Sequence, residues 1–360
     1  MSSIKDVAKL AGVSISTASN ALNRTRYVRA ETIEKVEYAA KVLNYSVDPI
    51  ARSMKSNKTA QIGVITEDIC GVFYPYVVRG INSVAIEKGY NILISDTQGT
   101  YGNEDAVNRE KAIFERLINA RVDGIIFVSA VSEKNMAEYF EEILRKANRH
   151  KHTPLVSLER DLTSVGIPSV YYDSYSNAVL AVQHLVHRGC RHIGHITGPV
   201  SMQIACERIQ GYKDCLAENH QELDEARMIS VGDYSHQSGY AAMMELLEKF
   251  PEIDGVFCGN DQMAIGALKA LKEKSKRVPE DIKLIGYDDS FVSTIVEPAI
   301  STIHVPKRRA GIEAAKLLFS LIEMEDSWKL PPAGHKMDGT LVVRNSTVPD
   351  AKADWILSEW

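Results

Sequence analysis

The side chains near the start of the chain that could do specific chemistry are small and polar. In the segment Ser14-Ile-Ser-Thr-Ala-Ser-Asn-Ala-Leu-Asn23, Ser16, Thr17, Ser19 and Asn20 face away from a helical stripe of Ile15, Ala18 and Leu22 at i, i+3 and i+7. Hydroxyls and amides of this size let a helix lie close against base edges and donate to phosphate oxygens. A helix that only faced water would carry longer charged residues.

Other chemistry is scarcer. His184, His187, His192 and His195 cluster around Cys190 in pairs spaced i, i+3, a spacing that suits metal. The first pair falls on an expected helix. The second falls on an expected strand, whose period of two sends the rings to opposite faces, so no metal site is expected. Five scattered cysteines without a C-x-x-C pair fit reduced thiols rather than zinc or redox chemistry. There is no G-x-S-x-G elbow, no G-x-G-x-x-G turn and no Walker loop. Asp288-Asp289 could pass for a catalytic acid pair. Adjacent carboxylates after a strand more often divide labour, one facing a ligand and the other a loop. No cofactor and no enzymatic activity are expected.

The elements that position these groups fall into two parts. Residues 1–60 hold ten Lys/Arg against five Asp/Glu, whereas the remainder holds 32 against 42. A small basic head on an acidic body suggests a head that meets phosphate. Ser3 and Asp6 resemble a capping box, and Ile4, Val7, Ala8 and Ala11 then share a helical face. Gly12 breaks the pattern and Ser14 suits the N-cap of a second helix. A third carries Ile33, Val36, Ala40 and Leu43 and ends at Asn44. Two short helices across a tight turn, braced by a third, make the helix-turn-helix plan. Asp48-Pro49 suits the start of a short linking helix.

From Gln61 onward, apolar runs alternate with helical patterns. Ile62–Ile65, Asn91–Ile94, Gly124–Val128 and Leu155–Leu158 read as buried parallel strands, and so do His192–Ile196, Met228–Val231, Gly255–Cys258 and Lys283–Tyr287. Helices fit between them at 104–120, 177–188, 262–274 and 307–324. The fold class is therefore α/β. Two series imply two doubly wound lobes with a cleft at the carboxyl ends of their strands.

The segment Ile4-Lys-Asp-Val-Ala-Lys-Leu-Ala-Gly-Val-Ser-Ile-Ser-Thr-Ala-Ser-Asn-Ala-Leu-Asn23 resembles the head of the lactose-repressor (LacI) family, and the likeness runs through Leu43-Asn-Tyr45 and Ala51–Ser56 to about residue 346. It implies a helix-turn-helix head over 1–47, a hinge helix and linker over 48–60, a two-lobed periplasmic-binding-protein-like body over 61–347 that also dimerises, and a tail over 348–360. In the body the chain would cross between lobes three times. Ile15, Ser16 and Asn20 would enter the major groove, with Thr17, Ser19 and Asn23 on phosphates and Arg52 in the hinge. Met54 would be the apolar wedge in the minor groove. Asn20 stands where the family usually has Arg, Arg29 where a Ser usually caps the third helix, and Met54 where Leu is usual. Ser174 and Asn177 also depart from the family's Asn and Gly.

The same resemblance implies an effector pocket. Phe73, Tyr74, Arg208, Tyr234, Asn260 and Asp288 each follow an expected strand or match a pocket position. A planar guanidinium, carboxylate and amide acceptors and an aromatic face suit a polyhydroxylated ligand. A sugar is expected, though a nucleoside would meet the same chemistry. The expectation is a repressor homodimer on a palindromic operator, controlled by a small molecule acting as inducer. The alternative is a corepressor, either a purine or a phosphoprotein. The tail lacks leucine heptads, so no tetramer is expected. No run of about 18 apolar residues and no apolar leader occur, which points to a cytoplasmic protein with no membrane partner. That argues against an exported solute-binding protein, and the missing acid-base pair argues against a sugar-modifying enzyme.

Overall fold

The computed structural model describes residues 2–23, 26–45, 58–98, 104–149, 152–230, 233–324 and 331–352. It divides into two compact units, Met1–Gln61 and Ile62–Trp360. The expected hinge contacts Arg52 and Met54 lie outside the described residues.

The first unit contains α1 (Ile4–Ala11), α2 (Ile15–Asn23) and α3 (Ala30–Val42). The Asp6 carboxylate accepts from the backbone N–H and the hydroxyl of Ser3 at 2.8 and 2.7 Å, which anchors the start of α1. Gly12 takes φ +66°, and the Val13 N–H returns to the Ala8 carbonyl at 3.0 Å. Ser14 caps α2 by accepting from the Thr17 N–H at 3.0 Å. Val7, Ala8, Ala18, Ala21, Val36, Ala39 and Ala40 form the core. Alanine dominates because three short helices must approach closely.

One expectation about α2 is corrected. Ile15 is 48% exposed and off the core, whereas Ser19 is only 9% exposed. The buried stripe runs through Ala18, Ser19 and Ala21. The helix therefore buries Ala18, Ser19 and Ala21, keeps Leu22 packed against the core, and turns Ile15 outward.

The second unit contains two six-stranded sheets. The first lobe holds β1 (Gln61–Thr66), α4 (Tyr74–Glu87), β2 (Asn91–Asp96), α5 (Glu104–Asn119), β3 (Gly124–Phe127), α6 (Met136–Ala147), β4 (Leu155–Glu159) and β5 (Ser169–Tyr172). The second holds α7 (Ser174–His187), β6 (Ile193–Thr197), α8 (Gln203–Glu218), β7 (Met228–Ser230), α9 (His236–Lys249), β8 (Gly255–Cys258), α10 (Asp261–Glu273), β9 (Lys283–Asp288), α11 (Val292–Ile295) and β10 (Ser301–His304). The chain then returns to the first lobe with α12 (Lys307–Glu323) and β11 (Gly334–Met337), and ends in the second with β12 (Thr340–Val342). Among the described residues it therefore passes between sheets after β5, after β10 and after β11.

The strand orders are β11-β5-β4-β3-β1-β2 and β12-β10-β9-β8-β6-β7. Among the described residues the pairings from β11 to β1 and from β10 to β7 are parallel, and β12 pairs antiparallel with β10. The central strands are buried along nearly their whole length, as helices on both faces require. No helix among the described residues is long and apolar enough to cross a membrane.

Candidate functional site

A cleft of about 430 Å³ opens where the carboxyl ends of both sheets face each other. The first lobe contributes Glu67 and Asp68 after β1, Phe73 and Tyr74 at the start of α4, Asp96 at the end of β2, and Glu159 at the end of β4. The second contributes Arg208 from α8, Tyr234 before α9, Asn260 before α10, and Tyr287 and Asp288 at the end of β9. All six expected effector residues line this one cavity.

Arg208 is 6% exposed, and its guanidinium carbon sits 3.7 Å from the centre of the Tyr287 ring. It donates to the Gly259 carbonyl at 2.6 Å. Burial works against its charge, but the surrounding tyrosines, Asp288 and Glu159 hold it protonated. Its Nε finds no acceptor among the described residues.

Asp288 has φ +101° and Asp289 φ +55°, both in the left-handed half of backbone space. Lys307 secures this turn by donating to the Asp288 carbonyl and, at 3.0 Å, to the Asp289 carbonyl. The two carboxylates point apart. Asp288 faces the cleft, and burial raises its pKa well above the usual carboxylate range. Asp289 is fully buried, meets Arg344 at 2.6 Å and His304 at 2.9 Å, and is held below its usual range by those partners despite burial.

Tyr234 lies over the backbone of Gly198. A Cβ on Gly198 would come within 2.1 Å of its ring, so only glycine admits this pose. Asn260 caps α10 through the Met263 N–H at 2.8 Å and donates to the Tyr234 carbonyl at 3.0 Å. Its amide thus serves the Tyr234 loop as well as lining the cleft. Phe73 packs edge-on against Tyr74 and Tyr172, with centroids 5.2 and 6.3 Å away. Tyr74 is buried, and its hydroxyl lies 3.3 Å from both Glu67 and Glu159.

Glu67, Glu159 and Tyr287 were not expected in the site. Glu67 follows β1 and Glu159 ends β4, and the strand-end rule that pointed to Asp288 would have flagged both. The histidines have local partners instead of a common focus. His184 meets Thr347 at 2.8 Å, and His195 stacks on Phe257 with centroids 4.5 Å apart. Burial lowers both to about 4, so both are neutral.

In the head, Ile15 and Ser16 are exposed on α2, and Thr17, Asn20 and Asn23 are half-buried. Ser14 lies 2.8 Å from the hydroxyls of both Ser16 and Thr17. Asn23 donates to the Ser19 carbonyl at 2.8 Å, so buried Ser19 helps hold Asn23 rather than presenting its own hydroxyl to solvent.

Residues 3–48 match the model for bacterial regulatory proteins of the lacI family, and residues 182–347 match that for a periplasmic binding protein-like domain. The chain is 34% identical over 329 residues to "HTH-type transcriptional repressor PurR" of Vibrio atlanticus (strain LGP32), covering 91% of this chain and 94% of that protein. A lac repressor dimer bound to operator and the anti-inducer ONPF superposes with TM-score 0.82 at 27% identity, covering 96% of this chain and 99% of that one. The transcriptional regulator CelR–cellobiose complex does so with TM-score 0.68 at 29% identity, covering 96% of this chain and 100% of that one.

Proposed function

The chain belongs to the lacI family of bacterial regulatory proteins and is a DNA-binding transcriptional repressor, and we propose that a small polar molecule held between its two lobes sets its affinity for operator DNA. One observation carries this reading. A buried guanidinium, carboxylates from both lobes and the faces of Phe73 and Tyr234 converge on one cavity of ligand size. That set suits a ligand with several hydroxyls, because each carboxylate accepts and Arg208 donates. The cellobiose complex among the solved relatives points the same way.

In this reading two copies bind a palindromic operator, since a two-fold protein reads a two-fold site. Ile15, Ser16 and Asn20 of each head meet base edges, while Thr17 and Asn23 meet phosphates. Arg52 and Met54 act in the hinge. The ligand shifts DNA affinity through its different affinities for two arrangements of the lobes. An inducer is the direction we propose.

A second reading has its own support. The relatives at 32–34% identity are named PurR, which favours a purine acting as corepressor. A flat base would lie against Tyr234 and Phe73.

The test is a thermal-shift screen of the full chain against sugars, sugar phosphates, nucleosides and purine bases, with operator binding measured for each hit. A ligand at about 100 times its Kd stabilises by about 2.7 kcal/mol. The expected hit disappears in Arg208→Ala and in Asp288→Ala, and it weakens operator binding. A purine hit that strengthens operator binding selects the second reading. Silence across all classes rejects a small-molecule effector of these kinds and leaves the DNA-binding assignment intact.

A further inference from the structure

The first turn of α7 joins the cleft to the passages between the lobes. The chain enters α7 directly from β5, on the first passage. Asp173 caps the helix by accepting from the Ser176 N–H at 2.9 Å, and its other oxygen meets Lys336 of β11 at 2.8 Å. β11 leads into the third passage, which holds Gly339. Asn177 is 1% exposed, and both ends of its carboxamide are engaged. Its nitrogen donates to the Tyr287 hydroxyl at 2.8 Å, and its oxygen accepts from the Gly339 N–H at 3.0 Å. A Cβ on Gly339 would lie 2.5 Å from that oxygen and 2.8 Å from Ile303, so only glycine lets the two groups meet.

The same turn supports Arg208 from two directions. Arg208 stacks on the Tyr287 ring with its guanidinium carbon 3.7 Å from the centre, and Tyr287 is fully buried. The ring cannot slide without breaking its buried hydrogen bond to Asn177. The second support is the helix that carries Arg208. Gly211 of α8 packs so closely on α7 that a Cβ there would lie 2.5 Å from the Tyr175 carbonyl oxygen and 3.0 Å from the Ala178 Cβ. The Tyr175 hydroxyl also donates to Asp214 of α8 at 3.1 Å. Both supports end on residues 175–178. Glycine, usual in the family at 177, has no side chain and could make neither Asn177 bond.

We propose that Asn177 is a positioning residue through which Arg208 and the third passage between the lobes move together. This rests on the reading of the cleft as the effector site. A molecule that draws Arg208 across the cleft shifts the Tyr287 ring, and Tyr287 shares one carboxamide with Gly339. A change at either end strains the bond at the other, because a buried polar group that loses its partner is costly. Linkage makes the effect reciprocal, so operator binding must alter the surroundings of Arg208 in turn.

Hydrogen exchange of the full chain, with and without operator DNA recovered by selection from a random pool, tests this. The segments read are 203–212 around Arg208, 283–288 around Tyr287 and 334–342 around Gly339. In the unaltered protein, operator should change exchange in all three by about fivefold or more, the lower end of coupling between distant sites. Asn177→Leu keeps the branch at Cγ and lacks both polar groups. It should still bind operator, while 203–212 and 283–288 no longer respond. Tyr287→Phe removes one hydroxyl, keeps the ring under Arg208 and should give the same loss, which guards against misfolding of the first variant. Lys336→Met cuts the exposed ion pair between the first and third passages and should leave the response intact. A response that persists at 203–212 and 283–288 in either Asn177→Leu or Tyr287→Phe, with the fold verified by circular dichroism, overturns the role of Asn177 and leaves the effector cleft standing. Loss in Lys336→Met as well overturns that role too, since any loosening of the passages would then suffice. No operator response in these two segments of the unaltered protein overturns both the proposal and the coupling of the cleft to DNA.

Discussion

Asn20 is one of the head positions expected to depart from the family pattern. A carboxamide pairs in bidentate fashion with adenine, whereas the arginine usual at this position pairs with guanine. Operator selection from a random pool should therefore recover adenine at the contacted base pair, and Asn20→Arg should move the preference to guanine by about 1–3 kcal/mol. Recovery of guanine by the unaltered protein would reject the contact. In the cleft, Gly198 and Tyr234 form a second residue-scale unit. A Cβ at Gly198 would lie 2.3 Å from the Tyr234 hydroxyl oxygen, so Gly198→Ala must drive the ring from its place. In urea unfolding, this substitution should destabilise the protein when Tyr234 is present and be nearly silent in Tyr234→Ala. The coupling should be roughly 0.5–3 kcal/mol, and simple additivity would show that the ring relaxes freely.

At the scale of elements, the turn after β9 depends on a partner from the far end of the chain. Arg344 is 1% exposed and binds Asp289 at 2.6 Å, the Ile300 carbonyl at 3.0 Å and Ser293 at 3.2 Å. It thus joins the β9 turn to α11 and the start of β10. Removing one partner of a buried pair leaves a charge without compensation, at about 3–5 kcal/mol. Arg344→Ala should lose stability on that scale, and adding Asp289→Asn should restore part of it. Equal stability of Arg344→Ala and the unaltered protein in chemical denaturation would show that water replaces the guanidinium. Elements also set what the sequence could reveal. The runs at β1, β3, β4 and β8 are legible because a strand covered on both faces must be apolar throughout. β5, β10, β11 and β12 escaped notice. β11 reads Gly-His-Lys-Met at an exposed edge, and β12 is three residues long, so neither carries a periodic signal.

Across the whole molecule, buried titratable groups pull stability in opposite directions. Burial raises Glu159 and Glu110 to about 7, the latter despite hydrogen bonds from Ser129, Ala130 and Tyr139. Such acids hold protons that the unfolded chain has released, so their contribution declines as pH rises from about 4.5 to about 7. His184 and His195, lowered to about 4 by burial, act the other way and reduce stability as pH falls from about 6.5 towards 4. The two effects offset one another in weak acid, and the carboxyl effect is left alone near neutrality. Glu159→Gln should therefore gain stability over the unaltered protein as pH rises from 5 to 8, by on the order of 3 kcal/mol at most. A difference that stays constant over that range would show that Glu159 is ionised throughout.

The sequence alone carried the helix-turn-helix head, the alternation of strands and helices, and six side chains that line the cleft. The head and the alternation follow from local rules, namely caps, turn glycines and apolar periodicity, whereas the six cleft side chains followed from the resemblance to the family together with placement at strand ends. Only the tertiary structure decided how α2 is rotated, because burying Ser19 instead of Ile15 depends on the space left by α1 and α3. Tertiary structure likewise brought Glu67 and Glu159 to one phenol and Arg344 to Asp289. The members of each pair are far apart in the chain: the parallel order of β1, β3 and β4 brings Glu67 and Glu159 together, and the antiparallel pairing of β12 with β10 brings Arg344 to Asp289, and no local signal encodes either.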